Sequence, residues 1–301
     1  MTGRPRPTPS PVFAAPSDLG AGSASALGAA TRPGIVFSGV TKRFVSPTGA
    51  VMTAARDINM EVAPGEFCAI VGPTGCGKST TLTMVSGLSE PSEGTVSVFG
   101  RPVSGVTPDA GFVFQADALM PWKSVLDNVA LGPKFRGEPK ARSVDKARGW
   151  LKTVGLEGFE NHYPHQLSGG MRKRAALAAA LINEPKMLLM DEPFSALDVQ
   201  TRAIMSDELL NVWERTKPSV LFVTHDLEES IFLADKVVVI TAGPGTVKAI
   251  FKIDLPRPRG SLHEVRFTPR FLELYRQIWE ALREEVARAY ARTTSVTGAA
   301  A

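Results

Sequence analysis

The chain has 301 residues, of which 44% are apolar and 21% charged, a composition typical of a globular protein with one large or two modest domains. Its 34 basic and 30 acidic residues give a net charge of +4, and because the basic residues are scattered, we expect no nucleic-acid partner. No apolar run reaches the roughly 18 to 20 residues needed to span a bilayer. The two cysteines, Cys68 and Cys76, have neither disulfide nor metal spacing, which favours a reducing compartment.

Residues 1–34 are rich in Pro, Ala, Gly and Ser. They lack the continuous apolar core of a secretory signal, so we predict a disordered tail, with a transit or docking segment as the alternative.

The next segments alternate between strand-like and helix-like patterns. Short, unbroken apolar runs at 66–71, 111–114, 187–190, 220–223 and 236–240 predict buried strands. Strands of this kind suit a sheet that helices cover on both faces, so the fold class is α/β.

The strand pattern disappears between Ser124 and about Ile182. Segments 124–131 and 143–156 and the alanine-rich run after Gly170 have helical spacing, which predicts a helical subdomain at about 116–182.

The C-terminal segment, 260–301, predicts an amphipathic helix and tail. Its apolar residues recur at helical intervals: Phe271, Leu274, Ile278, Leu282 and Val286. Acidic residues alternate with basic ones, which favours a helix packed on the protein over one lying on a membrane. Three histidines, His162, His165 and His263, have no metal spacing and are interpreted as loop residues.

A glycine-rich loop follows the strand at 66–71. Its sequence, Gly72-Pro-Thr-Gly-Cys-Gly-Lys-Ser79, matches the pattern G-x-x-x-x-G-K-[ST], and helix-like residues follow it. The glycines let the backbone approach phosphate oxygens, Lys78 reaches the outer phosphates, and the Ser79 hydroxyl can ligate Mg²⁺.

The strand at 187–190 ends in two adjacent carboxylates, Asp191 and Glu192. Asp191, at a strand end beside the phosphate loop, is placed to hold Mg²⁺ directly or through water. Glu192 follows on the other side of the strand and is placed to orient and polarise an attacking water.

A second anion site is predicted at Leu167-Ser-Gly-Gly-Met171, before the alanine-rich helix, where backbone amides face the helix start. This segment, lying between the phosphate loop and the two carboxylates, resembles the signature of the ATP-binding cassette (ABC) transporter family. The resemblance covers about residues 35–259. It implies an ABC nucleotide-binding domain, with a P-loop NTPase (RecA-like) core, a mixed sheet and a helical subdomain.

The resemblance also implies roles for individual residues. Gln115 would sense both Mg²⁺ and the attacking water, His225 would be the switch histidine at the terminal phosphate, and Phe44 would stack on adenine. Asp198 ends the Ser195-Ala-Leu-Asp198 loop, which crosses the subunit boundary in the family. The expected catalytic residues are Glu192, His225 and Gln115, and the expected metal residues are Ser79, Gln115 and Asp191. The expected ATP-binding residues are Phe44, Gly72, Pro73, Thr74, Gly75, Cys76, Gly77, Lys78, Ser79, Thr80, Ser168, Gly169, Gly170 and Asp198.

The family arrangement further implies partners. Two copies would pack head to tail, so that the phosphate loop of one and the Ser168 segment of the other close on the same ATP. A separate membrane permease would dock near Gln115, where residues 116–122 include Met120 and Trp122, and a substrate-binding protein would act indirectly. The subunit would then lie peripherally at the cytoplasmic face of the membrane.

Residues 253–259, Ile-Asp-Leu-Pro-Arg-Pro-Arg, and the Met171 signature resemble the nitrate, sulfonate and taurine importer branch. The signature helix departs from the usual family pattern at Lys173 and at Ala179, where relatives generally have a glutamine and an arginine. A lipid-trafficking or export ABC subunit, a soluble non-transport ABC ATPase and a non-catalytic module remain alternatives. Intact Glu192 argues against the last.

Overall fold

A computed structural model describes residues 33–116 and 118–298. The predicted tail, 1–34, therefore lies outside the described residues except for its last two positions. The chain forms two compact units. The smaller unit, Leu119–Asn183, is helical, and the larger unit comprises the other described residues.

The larger unit contains all the strands of the described chain. They are β1 (Ile35–Val45), β2 (Val51–Val62), β3 (Phe67–Val71), β4 (Glu93–Val98), β5 (Arg101–Pro102), β6 (Ala110–Val113), β7 (Met187–Asp191), β8 (Ser219–Thr224), β9 (Lys236–Ile240) and β10 (Val247–Lys252).

The described helices are divided between the two units. The larger unit holds α1 (Lys78–Ser86), α6 (Val199–Thr216), α7 (Leu227–Leu233), α8 (Leu262–Val265) and α9 (Pro269–Gly298), and the smaller unit holds α2 (Val125–Val129), α3 (Leu131–Phe135), α4 (Lys140–Thr153) and α5 (Gly169–Leu181).

The mixed sheet has the strand order β10-β9-β3-β8-β7-β6. The five strands from β9 to β6 are parallel, and β10 pairs antiparallel at one edge. Both β3 and β8 are buried along their whole length, as the unbroken apolar runs predict. Because the strands are parallel, their carboxyl ends meet at one edge, where the loops after β3, β6, β7 and β8 lie side by side.

A second sheet was not predicted from the sequence. It is antiparallel, with the order β2-β1-β4-β5. Its strands alternate between buried and exposed residues, as in the half-exposed Glu93–Val98 segment, so they lack the unbroken apolar runs that marked the mixed sheet. Helix α1 contacts β2 and β4 of this sheet as well as β7 and β8 of the mixed sheet. The main apolar core lies around α1, between the sheets.

The other face of the mixed sheet is covered by α7 and α9, which pack on its central and edge strands. As predicted, α9 buries Phe271, Leu274, Ile278 and Leu282. Each such side chain contributes roughly 1.5–3 kcal/mol through its removal from water. Val286 differs from the prediction, since this residue is 41% exposed.

The smaller unit matches the predicted helical spacing, with α4 beginning three residues earlier than expected. Ser124 caps α2 by accepting from the Asp127 backbone amide at 3.1 Å. His162 lies in a loop, but His165 lies in a short 3-10 helix, Pro164–Gln166, and in the larger unit His263 lies in α8. The loop assignment was therefore wrong for these two histidines, since such one-turn helices lack the length that makes helical periodicity visible. In the described part of the chain, no helix has the length and apolar character that crossing a bilayer requires.

Candidate nucleotide-binding site

The phosphate loop connects β3 to α1 at the carboxyl edge of the mixed sheet. Gly77 precedes α1 with a left-handed φ of 90°, and a Cβ there would lie 2.6 Å from the Ala54 carbonyl oxygen. Glycine is required on both counts. The loop therefore delivers the chain to the start of α1, where unbonded backbone amides and the helix dipole favour a phosphate group.

Lys78 lies at the first position of α1, with its side chain folded back over the loop. Its ammonium donates to the carbonyl oxygens of Gly72 at 2.9 Å and Pro73 at 3.0 Å. Only 6% of the residue is exposed. These contacts hold a positive charge beside the loop amides, where it can meet the outer phosphates.

Ser79 and Asp191 are brought together across 112 residues of sequence. The Ser79 hydroxyl donates to the Asp191 carboxylate at 2.9 Å. Burial raises the pKa of the Asp191 carboxyl, and the bond from Ser79 acts in the opposite direction. A hydroxyl and a carboxylate are hard oxygen ligands of the kind that Mg²⁺ takes alongside phosphate oxygens and water. These donors fit Mg²⁺, and among the described residues no cluster of three or more His, Cys, Asp or Glu offers an all-protein metal cage.

Glu192 follows β7 directly and has a left-handed φ of 42°. A non-glycine residue in this region carries backbone strain of about 1–3 kcal/mol, which the surrounding structure must offset. The bond from the Glu192 amide to the Val223 carbonyl, 2.9 Å, ties the strained turn to β8. The turn directs the carboxylate to the loop after β8, where Glu192 Oε2 lies 3.1 Å from His225 Nδ1. Two predicted catalytic residues thus form a direct pair.

Gln115 lies two residues beyond β6, and β6 pairs in parallel with β7 so that Val113 is opposite Met190. This register places Gln115 and the Asp191–Glu192 pair at the same sheet edge. Its side chain is exposed.

Asp198 caps α6, accepting from the backbone amides of Gln200 at 3.1 Å and Thr201 at 3.0 Å. These bonds and the Thr201 hydroxyl lower the pKa of the Asp198 carboxyl. The aspartate therefore fixes the end of the 195–198 loop.

Phe44 lies in β1 of the antiparallel sheet and is 41% exposed. The Lys42 ammonium lies 5.2 Å from the centre of its ring. An exposed aromatic ring is suited to stacking on a base.

The signature residues are in the smaller unit. Ser168 caps α5, accepting from the Met171 amide at 3.3 Å, and Gly169 and Gly170 form its first turn. Because the Ser168 oxygen accepts in this cap, its O–H remains a donor for an anion. In the following turn, Lys173 is buried, and Arg174 donates to the carbonyls of Val154 and Gly155, both at 3.4 Å. Lys173, one of the two departures from the family pattern, is thus part of the packing of this unit.

Sequence reasoning missed an ionic cluster behind the Glu192–His225 pair. Arg202 of α6 bonds to Asp226, which follows His225, and lies 3.5 Å from buried Glu229 of α7. Arg202 is four residues after Asp198, and Glu229 is three after Asp226. Both spacings are signals of a helix start, so they could have identified Asp198 and Asp226 as N-caps, but not the approach of Arg202 to Asp226 and Glu229.

A cavity of about 640 Å³ beside the phosphate loop was also missed. Its lining includes loop residues, His225 and the aromatic side chains of α9, namely Tyr275, Trp279 and Tyr290. The exposed face of α9 thus reaches the neighbourhood of the site, which the helical pattern alone did not indicate.

Comparison with known proteins agrees with this geometry. A family model described as ABC transporter matches residues 55–195. An uncharacterized ABC transporter ATP-binding protein of Methanocaldococcus jannaschii is 48% identical over 240 residues, covering 80% of this chain and 88% of the relative. This chain belongs to the ABC transporter ATP-binding family. The predicted α/β class, with a P-loop core, a mixed sheet and a helical subdomain, is confirmed, and the chain is an ATPase that binds ATP and ADP.

Two further relatives have more specific names. The nitrate import ATP-binding protein NrtD of Synechocystis is 42% identical over 244 residues, covering 80% of this chain and 91% of the relative. The aliphatic sulfonates import ATP-binding protein SsuB of Bacillus cereus is 39% identical over 231 residues, covering 75% and 90%. Among solved structures, the ATP-binding cassette MJ0796, dimeric in a post-hydrolysis state with ADP and Pi, has a TM-score of 0.66 and 32% identity. It covers 75% of this ABC ATPase and 99% of the solved chain.

Proposed function

We propose that this ABC ATPase energises import of a small solute of the nitrate, sulfonate or taurine kind through a separate membrane permease. The observation that carries the proposal is the pair of import relatives, a nitrate and a sulfonate ATP-binding protein, each at about 40% identity over three quarters or more of the chain.

We assign the hydrolytic roles as follows. Lys78 and the amides at the start of α1 bind the phosphates. Ser79 and Asp191, with Gln115 at the same edge, would hold Mg²⁺, which when bound supplies charge neutralisation to the phosphate oxygens. The Glu192 carboxylate orients a water and accepts its proton as the water oxygen attacks the terminal phosphorus, while the bond to the bridging oxygen breaks and ADP leaves. His225 contacts the terminal phosphate, and its bond to Glu192 aligns the two side chains.

We further propose that the site is completed by a second copy. The dimeric solved relative supports this arrangement. The Ser168 hydroxyl and the first amides of α5 form an anion site in their own unit, suited to the terminal phosphate on a partner's phosphate loop. Phe44 would stack on adenine, and Asp198 would lie near the boundary between copies. Closure would then require ATP, and hydrolysis would release it.

The permease contact is proposed for the segment that includes Met120 and Trp122. Trp122 is 72% exposed, whereas Met120 is half-buried. An exposed tryptophan is a frequent anchor in protein interfaces. The subunit would accordingly lie at the cytoplasmic face of the membrane, with a substrate-binding protein acting on the other side.

The dimer proposal is tested with Glu192→Gln. Loss of the carboxylate should reduce ATP turnover by about 100-fold or more while leaving ATP affinity intact, so ATP and Mg²⁺ should trap a dimer in gel filtration. Wild-type turnover per molecule should rise with protein concentration. A variant that remains monomeric with saturating ATP, or a wild-type rate strictly proportional to protein, would contradict shared sites.

The import proposal requires the membrane partner. The subunit copurified with its permease and reconstituted in liposomes should hydrolyse ATP faster when nitrate, taurine or an alkanesulfonate is supplied with the binding protein on the face opposite the ATPase. Accumulation of solute should follow, and Glu192→Gln should abolish it. Movement in the reverse direction, or stimulation by lipid alone, would favour an export or lipid-trafficking system.

A further inference from the structure

We propose that Arg202 is a positioning residue that holds the Glu192 and His225 loops in register for hydrolysis. The proposal rests on the assignment of Glu192 and His225 in the proposed function. Its basis is that Arg202, near the start of α6, bonds to both loops at once.

On one side, Arg202 holds the loop that begins at Glu192. Arg202 Nη2 donates to the Leu197 carbonyl at 3.1 Å. Within that loop the Ser195 amide and hydroxyl donate to the Glu192 carbonyl at 3.2 and 3.0 Å, and the Leu197 amide donates to Phe194 at 3.1 Å. These short-range bonds make the loop a compact unit, so fixing Leu197 also restrains Glu192.

On the other side, Arg202 holds the residue after His225. Arg202 Nη1 donates to Asp226 Oδ2 at 2.8 Å. The other Asp226 oxygen accepts from the backbone amides of Glu228 at 2.8 Å and Glu229 at 3.2 Å, capping α7. Asp226 is thus held between α6 and α7, and the backbone of His225 is fixed on its C-terminal side.

A buried carboxyl completes the cluster. Glu229 Oε1 lies 3.5 Å from Arg202 Nε, and Glu229 Oε2 accepts from the Thr224 hydroxyl at 2.7 Å. The Thr224 oxygen in turn accepts from the Asp226 amide at 3.0 Å. The residues before and after His225 are therefore both tied to the cluster around Arg202.

These contacts form a closed ring. It runs from Glu192 through its loop to Arg202, on to Asp226 and His225, and back across the 3.1 Å contact to Glu192. Arginine suits position 202 because its planar guanidinium group has separate N–H donors for a carbonyl and a carboxylate, whereas a lysine ammonium is one point charge. Removing the guanidinium group breaks the ring of contacts at Leu197 and at Asp226 and leaves the phosphate loop unchanged.

The test is steady-state ATPase kinetics together with binding of a fluorescent ATP analogue. Arg202→Met keeps the length and apolar stem of the side chain, and should lower kcat by about 10- to 100-fold, the scale expected when reacting groups are displaced by about 1 Å. The analogue's Kd should stay within about 2-fold, because Lys78 and the α1 amides are untouched. Arg202→Lys should recover part of kcat, since it keeps the charge near Asp226.

Arg270→Met is the matched control, because Arg270, on α9, makes a two-point ion pair with Asp254, away from the site. Its kcat should equal the wild-type value. Circular dichroism melting checks that each variant folds. If Arg202→Met does not fold, Arg202→Lys still tests the proposal. Either folded Arg202 variant would overturn the proposal by matching wild-type kcat, as would a loss confined to Kd. If Glu192→Gln were fully active, the proposed function would fail instead.

Discussion

Arg259 provides a quantitative test of how the larger unit is held together. This arginine ends the 253–259 segment and is buried against the last turn of α7. Its guanidinium donates to the carbonyl oxygens of Ile231 at 3.2 Å, of Phe232, and of Ala234 at 2.8 Å. The carbonyls at a helix C-terminus have no partners within the helix, so Arg259 satisfies them.

The loss of stability expected on replacing Arg259 follows from two opposing effects. Burial lowers the pKa of Arg259 to about 10, which means that the fold bears a desolvation cost for this charge. Replacing it by methionine removes that cost but leaves up to three carbonyls without a donor, and an unsatisfied buried group costs about 1–3 kcal/mol. With some relaxation of the helix end, Arg259→Met should reduce the free energy of unfolding by about 3 kcal/mol.

Urea denaturation followed by circular dichroism measures this loss. With an m-value of about 3 kcal/mol/M, the midpoint should fall by about 1 M. Arg270→Met again serves as the control, since its ion pair is exposed and should contribute little. Midpoints for the two variants that agree within about 0.2 M would refute the argument that Arg259 stabilises the end of α7.

Two further predictions concern the site. Lys78→Ala removes a charged donor to phosphate, so calorimetry should give an ATP Kd about 10- to 100-fold weaker, and an unchanged Kd would contradict the role of Lys78. Burial raises the pKa of Glu229 to about 7, despite the Thr224 hydrogen bond and nearby Arg202. Between pH 4.5 and 7 the folded state therefore binds a proton at Glu229 that the unfolded state has lost. The contribution of this group to the free energy of unfolding is complete below about pH 4.5 and is lost as pH rises through 7. The total loss is on the order of 3 kcal/mol. Glu229→Gln should remove that dependence. Melting temperatures of the two proteins that run parallel from pH 5 to 8 would show that Glu229 does not titrate in this range.

The sequence predicted those elements that are recognised from the spacing of neighbouring residues along the chain. The phosphate loop between a strand and a helix, and the carboxylates Asp191 and Glu192 after β7, required only spacing and apolar patterning, and the mixed sheet followed from unbroken apolar runs. The antiparallel sheet was not predicted, because each of its strands has one face exposed to water and so lacks an unbroken run of apolar residues.

The cluster around Arg202 was not predicted for a different reason. Its members come from α6, β8 and α7, and each residue alone resembles an ordinary charged position near a helix start. Their approach depends on how the loops after β7 and β8 are folded, which includes the left-handed turn at Glu192. Local spacing contains little information about such tertiary pairing, so the pair distances could not be predicted from the sequence.

The left-handed turn at position 192 also matters for protein engineering. A glycine there would relax the backbone strain of about 1–3 kcal/mol, partly offset by the greater freedom of glycine in the unfolded chain. It would also delete the carboxylate assigned to hydrolysis. Selection of this ABC ATPase for thermostability alone could therefore enrich an inactive protein, and any such library should keep position 192 fixed.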